Sequence, residues 1–241
     1  MSRYRTAGEV INSCAVELGL SSVVDPFGSN DKNFKQLTEL LNLAGEELLT
    51  MNVWQQFIKE HSLTTAAGDS GEYDLPDDFL YMIDQTGWDF TREFPLIGPL
   101  TDAQWKWLEG SGVVTGTVYL SFRIAAGKFS MQPQPPPQGL TVKFEYVSKN
   151  WVILSDATSA ERCVASGDVP QYDAMLLRKF LKFKWLEAKG FDTTSAAGQL
   201  QAQFNSVVGN ARSAPVVNLS RNSGFPYLDP LRNFPDRNYG V

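Results

Sequence analysis

Cysteine and histidine are nearly missing from this chain of 241 residues, which holds two Cys and a single His. Cys14 and Cys163 stand far apart, form no CxxC pair and offer no disulfide framework, so two buried thiols are expected. His61 has no Cys and no second His near it in the sequence. A zinc site or a Ser-His-Asp triad would rest on it alone, and an ordinary residue at a helix end is the expectation. Long apolar runs are also lacking. None approaches the ~18 residues of a membrane span, and Glu9, Asn12 and Glu17 interrupt any signal-type stretch after Arg3 and Arg5. The expectation is a protein made in the cytoplasm, soluble, with no membrane partner. There is no basic excess either: 21 Lys and Arg face 27 Asp and Glu, for a net charge of -6. That balance argues against a general nucleic-acid binder. Walker, GxGxxG, HExxH, GxSxG and EF-hand patterns do not occur, so no catalytic residue, metal or cofactor is expected.

What is present is an ordinary globular balance, 43% apolar and 20% charged, enough to fill a real core. Charge and periodicity change together along the chain. Residues 1–61, 62–167, 168–213 and 214–241 carry nets of -3, -6, +2 and +1.

The first segment reads as two helices. Thr6-Ala7-Gly8-Glu9 has capping-box form. Ala7, Val10, Ile11, Cys14, Ala15 and Leu18 follow helical spacing, and Gly19 is a stop. Asp31 caps a second helix expected to run to about Lys59, with Leu37, Leu41, Ala44, Leu48 and Met51 in one stripe. Leu40, Leu43, Trp54, Phe57 and Ile58 widen that stripe, so the helix needs neighbours on more than one side.

From Ser62 the period shortens. Strands are expected at Ser62–Thr65, Glu72–Leu75, Phe79–Ile83, Val113–Ile124, Lys128–Met131 and Leu140–Val147. A short helix is expected from Thr101 to Gly110, with Thr101 and Gln104 as a capping box and Trp105, Trp107 and Leu108 as anchors. Helices return near Val169. One carries Tyr172, Leu176, Phe180 and Phe183 beside Leu177, Leu181 and Trp185, and ends at Gly190. Another, capped by Thr194, reaches about Ala211. The sequence therefore predicts an α+β protein: N- and C-terminal helices in one bundle, an inserted antiparallel β domain at 62–167, and an extended tail. The acidic first and basic third segments can pack as a four-helix unit, or face each other between subunits.

Two further groups bear on chemistry. Glu72, Asp74, Asp77 and Asp78 crowd around Pro76. Paired carboxylates can hydrolyse glycosides or hold a cation, but Asp at a strand-to-strand turn commonly serves backbone hydrogen bonds, which is the expectation. With Trp88, Trp105 and Trp107 as stacking surfaces, a carbohydrate- or cell-wall-active β module is the alternative. The basic helix of Arg178, Lys179, Lys182, Lys184 and Lys189 offers a DNA contact, though its wide apolar coverage favours a structural role.

The tail, 214–241, has Pro215, Pro226, Pro230 and Pro235 and no regular period. Phe225, Tyr227, Leu228, Leu231, Phe234 and Tyr239 make it too apolar for a solvated tail, and Arg221, Arg232 and Arg237 lie among them. Aromatic and Arg anchors are enriched at partner interfaces, so an arm along another surface is expected rather than one wrapped on its own domain.

The run Tyr73-Asp74-Leu75-Pro76-Asp77-Asp78-Phe79-Leu80, followed by Ile83-Asp84-Gln85-Thr86-Gly87-Trp88-Asp89-Phe90-Thr91-Arg92, then Pro95 to Thr101 and Trp105, resembles the head-to-tail adaptors of short-tailed bacteriophages, the tail tubular protein A-like group. Phe90 stands where that pattern usually has a basic residue. The resemblance implies a non-enzymatic virion protein at the head-tail junction, in a homo-oligomeric ring typically of twelve subunits. The helices and the C-terminal arm dock on the portal protein, and the β domain faces the tail nozzle protein and fibre proteins. Double-stranded DNA passes through the central channel without specific binding. On this view Arg178, Lys179 and Lys182 belong to intersubunit or portal contacts, because lysines lining the channel would hold the DNA phosphates.

Overall fold

The computed structural model describes residues 4–111 and 119–211. The architecture is α+β. Helices α1 (Ala7–Glu17) and α2 (Lys32–Met51) come first. A 3-10 turn, Gln55–Phe57, leads into β1 (Ile58–Thr64), β2 (Glu72–Asp74), β3 (Phe79–Met82), β4 (Trp88–Asp89) and β5 (Phe94–Pro95). Helix α3 (Asp102–Ser111) precedes β6 (Ser121–Ala125), β7 (Lys128–Gln132) and β8 (Thr141–Ser148). Three two-residue strands follow, β9 (Val152–Ile153), β10 (Ser159–Ala160) and β11 (Val169–Pro170), and then α4 (Ala174–Lys189) and α5 (Thr194–Ala211).

The helix signals act as read. Thr6 Oγ1 accepts from the Glu9 amide, Asp31 from Asn33, and Asp173 from Met175 and Leu176, each satisfying amides that a helix start leaves free. Gly190 ends α4 in the left-handed conformation at φ 73°, which glycine adopts without a Cβ penalty. Thr194 opens α5 as its first helical residue rather than standing outside it, and Asp192 accepts from its amide and hydroxyl.

Helix α4 is the hub of the bundle. It packs on α1, α2 and α5, and its two apolar stripes supply Leu176, Leu177, Phe180, Leu181 and Trp185 to the helical core. The charge complementarity is realised inside one chain. Arg178 and Lys182 pair with Glu17 at 3.2 and 3.6 Å, and Lys184 with Glu47 at 2.8 Å.

Helix α2 is shorter than its periodicity suggests. It stops at Met51, and Asn52 turns to an extended backbone. Trp54 folds back so that its indole N–H donates to the Leu48 carbonyl at 2.7 Å. The next segment gains more from a sheet than from further helix, because all seven residues of β1 pair antiparallel with β8. His61 therefore lies in a strand, its ring centroid 5.2 Å from that of Phe144, and not at a helix end.

The principal sheet runs β1-β8-β4-β5, with β3 also on β8; a second runs β2-β7-β6. A bridge from Ile97 to Ser121 joins them beside β5. They close over Phe122, Phe129 and Phe144, whose rings stack at 5.2 and 5.0 Å. The β6–β7 turn is Ala126-Gly127, both at positive φ, the geometry of a tight hairpin. Of the strand expected over 113–124, the part from Ser121 is observed, and 113–118 fall outside the described residues. On α3 the Thr101–Gln104 cap forms and Trp105 is buried, but Trp107, expected as an anchor, is 63% exposed.

The two cores meet in one layer. Tyr146 of β8 belongs to the β core and Val147 to the helical core. Across the ladder, Phe79 and Met82 pack on the β core, while Tyr81 and Ile83 pack on the helical one. A bulge at Leu80 keeps this alternation in step with β8. Trp151, Val152 and Cys163, placed by composition with the inserted module, contribute to the helical core.

Candidate interaction surface

The carboxylates around Pro76 do not converge. Asp77 is exposed, and Asp74 lies 3.9 Å from Lys128 on the β2–β7 pair. Asp78 is a packing node: its carboxylate accepts from Lys59 Nζ at 2.6 Å, Ser148 Oγ at 2.7 Å and Tyr146 OH at 2.9 Å. Its carbonyl accepts from the Lys149 amide at 2.8 Å. Burial works to raise its pKa, but the bonds from Lys59, Ser148 and Tyr146 outweigh burial and hold it below the ordinary carboxylate range. The same carboxylate and burial together push the Tyr146 phenol up to about 12. No group of three or more metal-ligating side chains occurs among the described residues.

The other sequence candidates are spread through the scaffold. Burial lowers the pKa of His61, which favours its neutral form at pH 7. Burial raises both thiols, Cys14 to about 12, so neither is an activated nucleophile. Trp105 is buried, with Arg123 4.3 Å above its ring and its N–H donated to Glu109. It is not available to stack on a sugar, and the carbohydrate reading loses that residue. Lys179 meets Gln203 of α5 at 3.3 Å. With Arg178 and Lys182 paired to Glu17, all three candidate intersubunit residues are engaged within their own chain. Arg221, Phe225, Tyr227, Leu228, Leu231, Arg232, Phe234, Arg237 and Tyr239 lie outside the described residues.

The run from Tyr73 to Trp105 has an architectural role. The Thr86 hydroxyl donates to the Ile83 carbonyl at 2.7 Å and accepts from the Glu145 amide at 3.1 Å, fastening the β3–β4 turn to β8. At Gly87 a Cβ would meet Leu96 and Met82 at 3.0 Å. Asp89 is buried, with one carboxylate oxygen accepting from the Thr91 and Arg92 amides. Gly98 passes so close to β6 that a Cβ would lie 2.5 Å from the Phe122 carbonyl oxygen. Phe90 is exposed, and Lys143 of β8 sits 5.0 Å from its ring centroid, so a cation reaches this spot from the neighbouring strand.

Two contacts were invisible to periodicity. Asn42, buried in α2, exchanges two hydrogen bonds with the Cys163 backbone, at 2.9 and 3.2 Å. Asp168, also buried, accepts from the Val164 and Ala165 amides, and its carbonyl accepts from the Ala7 amide at the start of α1. An isolated Asn on an otherwise apolar helix face was the one available signal.

Scaffold and surface dominate this molecule: a helical unit, a β unit sharing its central layer, and exposed aromatic side chains on the β unit at Trp88, Phe90, Trp107 and Tyr119. Together these make an α+β scaffold that presents aromatic side chains at the surface of its β unit. A family model described as SU10 adaptor protein matches residues 5–223, and the chain belongs to that family of phage adaptor proteins. Membership makes it a virion component that associates with other phage head or tail proteins. No curated protein matches the chain.

Proposed function

We propose that this adaptor joins head to tail in a short-tailed phage, as in the tail tubular protein A-like group. It forms a ring, typically of twelve subunits, beneath the portal. The helical unit and the 214–241 arm dock on the portal protein, the β unit faces the tail nozzle and fibre proteins, and DNA passes through the central channel. The observation that carries this reading is the ion pairing of α4. Arg178 and Lys182 are balanced by Glu17, and Lys184 by Glu47, so the basic helix α4 holds this charge in contacts. With a net charge of -6, a channel lined mainly by carboxylates repels DNA phosphates and lets the duplex slide. Arg178, Lys179 and Lys182, each partly exposed, sit at subunit or portal boundaries in this reading.

Light scattering on the protein, on portal rings and on their mixture tests the reading. Addition to the portal in one fixed, high stoichiometry is expected, and failure to bind a well-formed portal would overturn it. Deletion of 214–241 is expected to leave the helical content intact and abolish portal binding. Normal binding by the truncated chain would remove the arm from the docking role.

A further inference from the structure

Strand β1 is bonded on one side. Among the described strands it pairs with β8 alone, and β2, the next strand in the chain, pairs with β7 alone. The amides of Ile83 and Phe90 donate to the Glu145 and Thr141 carbonyls from the far side of β8, while Thr65 donates to Leu140 from the β1 side. Backbone groups alternate in direction along a strand. Lys59, His61 and Leu63 therefore bond to Tyr146, Phe144 and Val142, their register partners. Glu60, Ser62 and Thr64 turn their N–H and C=O groups away from β8. No described residue bonds those groups, and all three residues are exposed.

The side chains along this edge are acidic. Glu60 stands directly opposite Glu145 in the ladder, in the closer, non-hydrogen-bonded kind of pair, where like charges repel. Lys143 answers one of the two, meeting Glu60 at 2.9 Å. Glu145 is exposed and has no ion pair among the described residues. A lysine commonly guards a free edge, but Lys59 is held by Asp78 at 2.6 Å. From Ile58 to Met82 it is the only Lys or Arg, set against Glu60, Asp69, Glu72, Asp74, Asp77 and Asp78.

We propose that the β1 edge binds an extended, basic segment of a partner protein by strand addition. Main-chain bonds to Glu60, Ser62 and Thr64 supply the affinity, and alternate side chains select the partner. A strand laid beside β1 shares both of its faces. On one face, a lysine or arginine next to Glu60 offsets the repulsion between Glu60 and Glu145. On the other, an apolar side chain falls beside His61 and Leu63, on the face that carries Phe144 and Val142 of the β core. The segment therefore alternates basic and apolar residues. The chain's own net charge of -6 favours a different protein over a second copy, since like-charged surfaces reject each other. The contact concerns the β unit alone and does not depend on the ring reading.

Short blocked peptides added to the full-length protein test it. The probe alternates lysine and valine. One control carries glutamate in place of lysine, and a second carries N-methyl groups on the amides that would face β1. Near saturation, the lysine peptide is expected to slow amide exchange at Glu60, Ser62 and Thr64 about tenfold, and both controls to leave it unchanged. Ser62→Pro removes an N–H turned away from β8, at an edge where proline is tolerated. It is expected to keep the fold and lose the peptide, as read by fluorescence anisotropy. The N-methyl control alters nothing in the protein, so the test stands even where Ser62→Pro misfolds. No slowing by the lysine peptide, or equal slowing by the glutamate peptide, would overturn the proposal. Undiminished binding of the N-methyl peptide would do the same. Slow exchange of these amides in the free protein that fades on dilution would place a second copy on the edge, and the proposal would fall.

Discussion

Asp78 shows how a residue that sequence alone offers as a candidate acid becomes a fastener. Its carboxylate bonds β1 through Lys59 and the end of β8 through Tyr146 and Ser148. Hydrogen bonds to a charged group are worth about 1.5–3 kcal/mol each before solvent screening, and Lys59 is half exposed. Asp78→Ala is expected to cost about 2–3 kcal/mol in urea unfolding. The sign of its pH dependence follows from its depressed pKa. The stabilisation is present above the unfolded value near ~3.9 and fades as pH falls through the lower folded one. Wild type therefore loses stability below about pH 4 in a step that Asp78→Ala lacks. Equal acid slopes for the two proteins would show that Asp78 is not the group responsible.

Among the elements, α2 and the segment after β8 approach closely at Gly45. A Cβ on Gly45 would lie 2.3 Å from the Trp151 ring, and the Gly45 carbonyl accepts from the Tyr172 hydroxyl at 3.0 Å. The helix needs a glycine there so that an indole can lie against its backbone. Gly45→Ala adds a methyl group where no space exists. Despite alanine's better helix propensity, it is expected to destabilise by about 1–3 kcal/mol as read by the thermal midpoint. A midpoint at or above that of the wild type would mean that Trp151 moves aside freely.

For the molecule as a whole, the shared layer decides how the two cores behave. Val147 and Tyr81 belong to one core, while Tyr146 and Met82, beside them on β8 and β3, belong to the other. Neither core can open without exposing the back of the other. A single cooperative unfolding transition is expected, with the slowest amides of α4 and β7 exchanging at one common free energy. Two separated transitions, one helical and one β, would contradict this coupling. A rigid connection of this kind suits an adaptor, since the orientation of the β unit is fixed by strand pairing rather than by a linker.

Local chemistry was legible in the sequence. Caps at Thr6, Asp31 and Thr101, the stop at Gly190 and the alternation of Val142, Phe144 and Tyr146 needed only near neighbours, because caps, left-handed turns and strand faces are set within a few residues. The absence of a basic excess and the family-like run from Tyr73 to Trp105 carried the class of protein. Long-range partners were not legible. The end of α2 at Met51 and the strand around His61 depend on pairing with β8, some eighty residues away in sequence. The exposure of Trp107 beside the buried Trp105 depends on Arg123 arriving over one ring. The engagement of Arg178 and Lys182 depends on Glu17, in a distant helix. The sequence by itself determined the elements, their faces and the α+β plan, since these follow from local backbone chemistry and apolar period. Only the tertiary structure decided which charges are spent internally, which aromatic rings face solvent and which strand edge is left open, because each depends on groups that chain order does not bring together.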